Sequence, residues 1–374
     1  MFIHQGKLQH LLHPSDYSSE AFWRDEVEHL FQKSWQFGGS LSQLKKKGDY
    51  LSRDIAGIPV VFRNFGDGIS AFRNVCPHRH SMIVSEGSGN ADKLKCMYHG
   101  WEFGCKGDVT FLPDGSSFKG IRAADLCLQP VKTEILGNMI FANLEPNANS
   151  FRDSLGELAP ELEQYFGNHE LVWHWVSDHK ANWKVIEENA VESYHVPMAH
   201  PKTFTNYKKP EFHDHRLTEA YTRYADLEPL NRNLVDKAFV ILSKLFLKKP
   251  NFERFKHTHI FPNNLLYYGE LFSTWAAVYP IAPEQTRYEI VGFIPRDLRY
   301  SMGMNAMLKI ITKPLVKMIA RILMEDMEIW PKLHKGLSNS SFAGILSCRE
   351  ERIYAFQKYV YSNMPRAWSD RISS

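Results

Sequence analysis

The sequence predicts an α+β protein, with a small all-β domain followed by a larger domain of segregated helices and strands. Three observations carry this expectation. Residues 45–148 hold short β-rich runs punctuated by glycine turns. Beyond Pro146, helical stretches and aromatic or β-branched stretches occupy separate parts of the chain. The 374 residues exceed one ordinary core, and a hydrophobic content of 44% can fill two without staples.

In chain order, Ser18 and Ser19 can cap a first helix. Trp23, Val27, Leu30, Phe31 and Trp35 recur along it at helical spacing, with Asp25, Glu26 and Glu28 largely on the other side. Gly38 and Gly39 are expected to end it. Residues 1–44 therefore read as a helical segment packing on the larger domain. Residues 50–63 and 69–75 are strand-like, broken by Gly57, Pro59 and the turn at 64–68. Gly87, Gly89, Gly100, Gly104 and Gly107 mark further turns, and residues 135–144 read as a closing strand. Residues 45–148 form the β domain and residues 149–374 the larger one. Within the latter, 182–196 reads as helix, 255–294 as strands, and 304–330 as helix with Met307, Ile310, Ile311, Val316, Ile319, Ile322 and Leu323 as its apolar content.

The net charge of +3 gives no sign of a nucleic-acid partner. Five cysteines, odd in number and sparse, suit a reducing compartment better than a disulfide framework. The opening MFIHQGKLQHLLHP lacks the apolar run of a secretory signal, and runs such as Ala238–Leu242 fall far short of a membrane span. A cytoplasmic protein is expected.

Chemistry concentrates in two short clusters, C-P-H-R-H at 76–80 and C-M-Y-H-G-W at 96–101. Each offers one thiolate and one imidazole: Cys76 with His78, Cys96 with His99. Zinc sites usually take paired cysteines from one turn and paired histidines from a helix. A mixture in each loop suits a Rieske [2Fe–2S] centre, with two sulfurs on one iron and two imidazoles on the other. A structural zinc site is the alternative.

A second constellation lies at 182–201, NWKVIEENAVESYHVPMAHP. Five residues of regular helix would turn His200 by about 500° from His195, roughly 140° off its face, so one metal can take both only if the helix breaks. Pro197 is expected to supply that break. Glu188, Asn189 and Glu192 precede the pair. Two histidines with one carboxylate would complete a facial triad, the pattern of non-haem Fe(II) oxygenases. Asp326, in MEDMEIW, is the chosen third ligand, with Glu325 and Glu328 as alternatives from spacing.

Together the motifs resemble the Rieske non-haem iron oxygenases, specifically the terminal oxygenase (alpha) subunits of ring-hydroxylating and choline-monooxygenase-like type. The resemblance runs from the Trp35 region through FRNVCPHRH, CMYHGWEF and the 182–201 segment to HIFPN at 259–263, MEDMEI at 324–329 and the C-terminal SFAGILSCREERIYAFQKYV. It implies a helix-grip-like catalytic domain with an antiparallel sheet and flanking helices. It implies a [2Fe–2S] cluster on Cys76, His78, Cys96 and His99, and Fe(II) on His195, His200 and Asp326. It also implies a ring-shaped homotrimer in which a carboxylate joins one subunit's Rieske histidine to its neighbour's iron site. Glu192 holds that position where Asp is common, and His80 stands where Gly is common. Asn189 is expected beside the iron without ligating it, and Tyr98 and Trp101 against the second cluster loop.

The implied activity is hydroxylation of a small aromatic or hydrophobic substrate with O2. An alternative is oxidation or demethylation of a quaternary or methylated amine, and a rival of another class is a Rieske electron carrier with an inactive second domain. Phe204, Tyr207, Tyr267, Phe272, Trp275 and Phe293 are candidate channel residues, each equally a core residue. Gly87-Ser88-Gly89 lacks the third glycine of a dinucleotide site, so a separate NAD(P)H-dependent reductase, with or without a ferredoxin, is expected as electron donor. Residues 234–249 and 309–321 mix apolar residues with lysines. Packing on the catalytic domain is expected for them, with a membrane surface as the alternative.

Overall fold

A computed structural model describes residues 2–4, 6–167, 169–203, 213–226, 241, 256–269, 272–295 and 302–365. The chain divides into two compact units, one formed by Met1–Leu30 with Leu155–Ser374 and the other by Phe31–Ser154.

The N-terminal helix α1 is Glu20–Asp25, capped by the Ser19 side chain, which accepts from the Phe22 N–H. A π-helical turn, Glu26–Phe31, follows. The expected helix through Trp35 is therefore shorter, and Gly38 and Gly39 do not end it. They lie in strand β1, Gln36–Ser40. A Cβ on Gly38 would meet the Phe62 ring at 2.6 Å, so glycine is required for close packing rather than for a helix stop.

The unit Phe31–Ser154 contains β1, β2 (Asp49–Ile55), β3 (Ile58–Asn64), β4 (Ile69–Arg73), β5 (Gly87–Asn90), β6 (Leu94–Lys95), β7 (Glu102–Phe103), β8 (Val109–Phe111), β9 (Lys132–Leu136) and β10 (Met139–Asn143), with α2 (Phe151–Leu155) at its end. Its sheets run β1-β10-β9, β4-β3-β2-β5 and β6-β7-β8. The period-2 alternation of β3 feeds two cores. Val60 and Phe62 join Leu51, Ile55 and Ile140 on one side. Val61 joins Phe72, Cys76, Cys96 and Trp101 on the other. The single closing strand expected at 135–144 is a hairpin of β9 and β10, turning at Gly137 with φ 61°. Gly87 and Gly89 lie in β5, paired to β2.

The larger unit adds α3 (Leu158–Phe166), β11 (His169–His179), α4 (Trp183–Val191), α5 (Val196–Ala199), β12 (His213–Leu217), β13 (Tyr221–Asp226), β14 (Lys256–Ile260), β15 (Asn264–Tyr268), β16 (Ser273–Ala282), β17 (Gln285–Pro295), α6 (Met302–Leu337) and α7 (Glu351–Asn363). Its strands form one antiparallel sheet, β11-β17-β16-β15-β14-β13-β12. The helix expected over 182–196 stops at Val191, and that over 304–330 extends to Met302 and Leu337. Trp275 and Phe293 are fully buried and belong to the core, as does Phe272. Phe204, Tyr207 and, apart from Ile241, the segment 234–249 lie outside the described residues. Among the described residues, no helix is long and apolar enough to cross a membrane.

Candidate metal centres

Cys76–Ser81 and Cys96–Trp101 adopt the same loop. In the first, the Cys76 N–H donates to Ser81 O at 2.9 Å and the His80 N–H to Cys76 O at 3.0 Å. In the second, the Cys96 N–H donates to Trp101 O at 2.8 Å and the Gly100 N–H to Cys96 O at 2.9 Å. The fifth residue of each loop is left-handed, with φ 58° at His80 and 77° at Gly100. His80 thus occupies a backbone position that glycine fills with less strain, and its side chain is exposed.

The expected ligands meet in pairs, His78 with His99 and Cys76 with Cys96. The rings of His78 and His99 lie 4.5 Å apart between centroids. Trp101 stacks on His78 at 5.0 Å, and Tyr98 leans on His99 at 3.8 Å. Both cysteines are buried. Burial pushes the Cys76 thiol up to about 11; the backbone N–H groups of His78 and Arg79 act against this, and the adjacent Cys96 adds to it. Desolvation, with His99 and Arg79 nearby, holds the His78 imidazole below its ordinary value. His78 Nδ1 is buried with no hydrogen-bond partner, an arrangement costly for a bare imidazole and natural for one that ligates a metal. Two thiols, two imidazoles and an orphaned ring nitrogen fit a Rieske cluster.

In the larger unit the second constellation also converges. Ligand atoms of His195, His200 and Asp326 all lie within 4.8 Å of one another. Asp326 Oδ1 is 3.1 Å from His200 Nε2 and 3.5 Å from His195 Nε2, and it is buried without a formed hydrogen bond. The chain reaches this geometry differently from the expected way. Helix α4 has already ended at Val191, and Glu192 is extended. Pro197 does not break a helix; it sits in the first turn of α5, where its fixed φ suits helix initiation.

Each histidine gives its other nitrogen to a carboxylate. His195 Nδ1 bonds Glu192 Oε1, while Glu192 Oε2 accepts from the backbone N–H groups of Tyr194 and His195. His200 Nδ1 is 2.8 Å from Glu325 Oε2, which also accepts from Thr203 Oγ1 at 2.5 Å. Glu325 is therefore a partner of His200 rather than an alternative to Asp326, and Glu328 is exposed. Burial opposes a charge on His200, but Asp326 and Glu325 outweigh it and raise its pKa. With both Nδ1 atoms engaged, both Nε2 atoms are turned toward Asp326, a donor set suited to a divalent first-row metal.

Asn189 is held away from free rotation: its Oδ1 accepts from Trp330 Nε1 at 2.7 Å. Helix α4 is buried except at Glu188 and Ala190, so its polar side chains need partners. Lys184 pairs with Glu26 at 2.7 Å, both fully buried. Glu187 lies 3.1 Å from His259, and burial raises its pKa. At the helix end, Arg352 of α7 donates to Val191 O at 3.2 Å and contacts His257 Nδ1 at 2.8 Å. These partners come from distant parts of the chain, and the sequence marks them only as charged residues. Tyr267 stacks on His257 at 4.2 Å.

Residues 166–366, more than half of the chain, match the ring hydroxylating alpha subunit (catalytic domain) family, and residues 34–123 match the Rieske [2Fe–2S] domain. The chain belongs to the ring hydroxylating alpha subunit family, whose two domains carry a [2Fe–2S] cluster and a mononuclear iron. Curated relatives include the carnitine monooxygenase oxygenase subunit of Acinetobacter pittii, 33% identical over 190 residues, covering 50% of this chain and 51% of that protein. The chloroplastic choline monooxygenase of Beta vulgaris is 26% identical over 280 residues, covering 71% of this chain and 58% of that protein. The match thus spans about half the length of these relatives. Among solved structures, the quaternary ammonium Rieske monooxygenase CntA bound to L-carnitine superposes with a TM-score of 0.74 at 22% identity, covering 94% of this chain and 95% of that one. Naphthalene 1,2-dioxygenase with indole bound gives 0.76 at 20%, covering 97% and 94%. At these identities the structures speak for the fold.

Proposed function

We propose that the chain is the terminal oxygenase of a multicomponent Rieske system, taking electrons from a separate NAD(P)H-dependent reductase, directly or through a ferredoxin, and using O2 to hydroxylate a small aromatic or hydrophobic substrate. The observation that carries the reading is the meeting of His195, His200 and Asp326, with each histidine backed by a carboxylate. In this reading His195, His200 and Asp326 hold the mononuclear iron, and Cys76, His78, Cys96 and His99 hold the cluster. Iron in such a triad supplies O2 activation, and the cluster supplies electrons one at a time.

The chain's own residues set the conditions. Glu192 and Glu325 fix each imidazole as the Nδ1–H tautomer and leave Nε2 as the ligand atom. Asp326 offsets the charge of a divalent ion. Trp330 holds the Asn189 amide near the end of α4, the helix that leads into the site. Glu192 has a second role in this proposal: it accepts a hydrogen bond from the exposed His99 of a neighbouring copy in a homotrimer. The protein is proposed to act in the cytoplasm.

A second reading takes a quaternary or methylated amine as substrate. It is favoured by the curated relatives, which include oxygenase subunits for carnitine and glycine betaine. Product analysis with a reductase, O2 and a panel of aromatic and amine substrates separates the two. Iron quantification tests the class: the oxygenase requires three irons per chain, whereas an electron carrier with an inactive second domain requires two. In anaerobic single turnover with iron supplied in excess, because Glu192→Ala also removes the carboxylate behind His195, the variant should keep the cluster and lose electron transfer to the mononuclear site. Normal transfer in that variant would remove Glu192 from the route.

A further inference from the structure

The outer face of α6 lies away from the site except at Arg321, whose charge reaches Glu325. From Met302 to Met324 this helix carries Lys309, Lys313, Lys317 and Arg321 and no Asp or Glu. Their spacing of four places them in one stripe, and all four are exposed. The inner face is accounted for: buried Leu308, with Leu315, Val316 and Ile319, packs against Phe272, Ile294, Val172 and Trp173. Between the cations, the outer face shows Met307, Ile310, Met318 and Met324 to solvent at 43%, 63%, 44% and 56% exposure. Lys309 is paired with Glu170 at 2.7 Å. Among the described residues, no ion pair is formed by Lys313 or Lys317.

Like charges at successive i,i+4 positions destabilise a helix in water. Exposed Ile and Met side chains add an unfavourable apolar surface. A merely solvated face explains the lysines and tolerates apolar side chains scattered singly, but here Ile310 and Met318 lie along the same face as the cations. A partner offering anionic groups over an apolar layer satisfies both, which is the chemistry of a lipid headgroup region above its acyl boundary. We propose that this face of α6 docks on an anionic lipid surface, with Lys313, Lys317 and Arg321 at the headgroups and Ile310 and Met318 at the boundary below them. The expected packing of residues 309–321 on the domain describes the inner face only. This docking stands independently of the oxygenase reading.

The test is flotation of the full chain, metals loaded, with vesicles of phosphatidylcholine alone and with about a third phosphatidylglycerol. The wild type should float with the anionic vesicles only, and high salt should release it. The double variant K313E/K317E should bind roughly tenfold or more weakly, and I310S/M318S should also bind more weakly. These surface variants should keep the wild-type melting temperature and cluster absorbance. If they do not, release of the wild type by salt decides the charge component without them. Absence of wild-type flotation, equal flotation with neutral vesicles, or wild-type binding by K313E/K317E would each overturn the proposal. So would a smaller assembly for K313E/K317E in solution combined with no wild-type flotation, which would assign the face to a second copy of the chain.

Discussion

Glu325 and Asp326 are adjacent on α6, and about 100° of helix rotation separates their directions. That rotation divides the work: Asp326 faces the two Nε2 atoms, and Glu325 reaches His200 Nδ1 and Thr203. Removing the Glu325 carboxylate by Glu325→Ala should free the His200 ring and lower mononuclear iron affinity by roughly 10- to 100-fold. Iron content after dialysis against a weak chelator checks this, with visible cluster absorbance unchanged as the internal control. Spacing in the sequence left Glu325, Asp326 and Glu328 open as ligands, because it reports which residues share a helix and not where the histidine rings wait. The candidate cluster loops stand out without such help, since their donor atoms sit in two short stretches whose chemistry is local.

Helix α4 shows what tertiary partners do to an element. Its sequence, WKVIEENAV, has too many charges for a buried helix, yet nearly every position is buried. The charges are tolerated because they have partners from elsewhere, such as Glu26 for Lys184 and His259 for Glu187, and the neutral Asn189 is met by Trp330. Trp330→Phe removes the Nε1–H and orphans Asn189 Oδ1, which should cost about 1–3 kcal/mol in addition to the cavity left by the smaller ring. Chemical denaturation followed by tryptophan-independent far-UV signal measures it. The end of α4 is set by a partner that the local sequence does not show: a helix over 182–196 is expected, but Arg352 captures the Val191 carbonyl and the chain departs there. Strand β11 has a weak sequence signature because its tryptophans and histidines, LVWHWVSDH, belong to an edge strand with partly exposed sides.

Across the whole molecule, stability should depend on pH through Glu188. Burial pushes its carboxyl from 4.5 to about 7, against hydrogen bonds from Tyr17 and Gln357 and the charge of Lys184. A raised folded-state pKa means that the native chain holds this proton more tightly than the unfolded one. Stability from this group is therefore complete below pH 4.5 and is lost as pH rises toward 7, by at most about 3 kcal/mol, since the carboxyl keeps some contact with solvent. Glu188→Gln should flatten the stability profile between those limits, as urea midpoints at several pH values would show. The α+β architecture was readable from segregated helix and strand patterns. The pairing order of the long sheet was not, because it depends on contacts between residues as far apart as His174 and Val291.

Cys76 and Cys96 are 2% and 1% exposed. Sulfurs so deeply enclosed should be harder to reach once the surrounding strands have closed than while they are open. Iron and sulfide delivered while this part of the polypeptide is still open should therefore load the centre faster than the same reagents added to the folded chain. The same enclosure governs departure: a strong chelator should strip the finished centre at a rate set by spontaneous opening, so raising the chelator concentration should not quicken the bleaching.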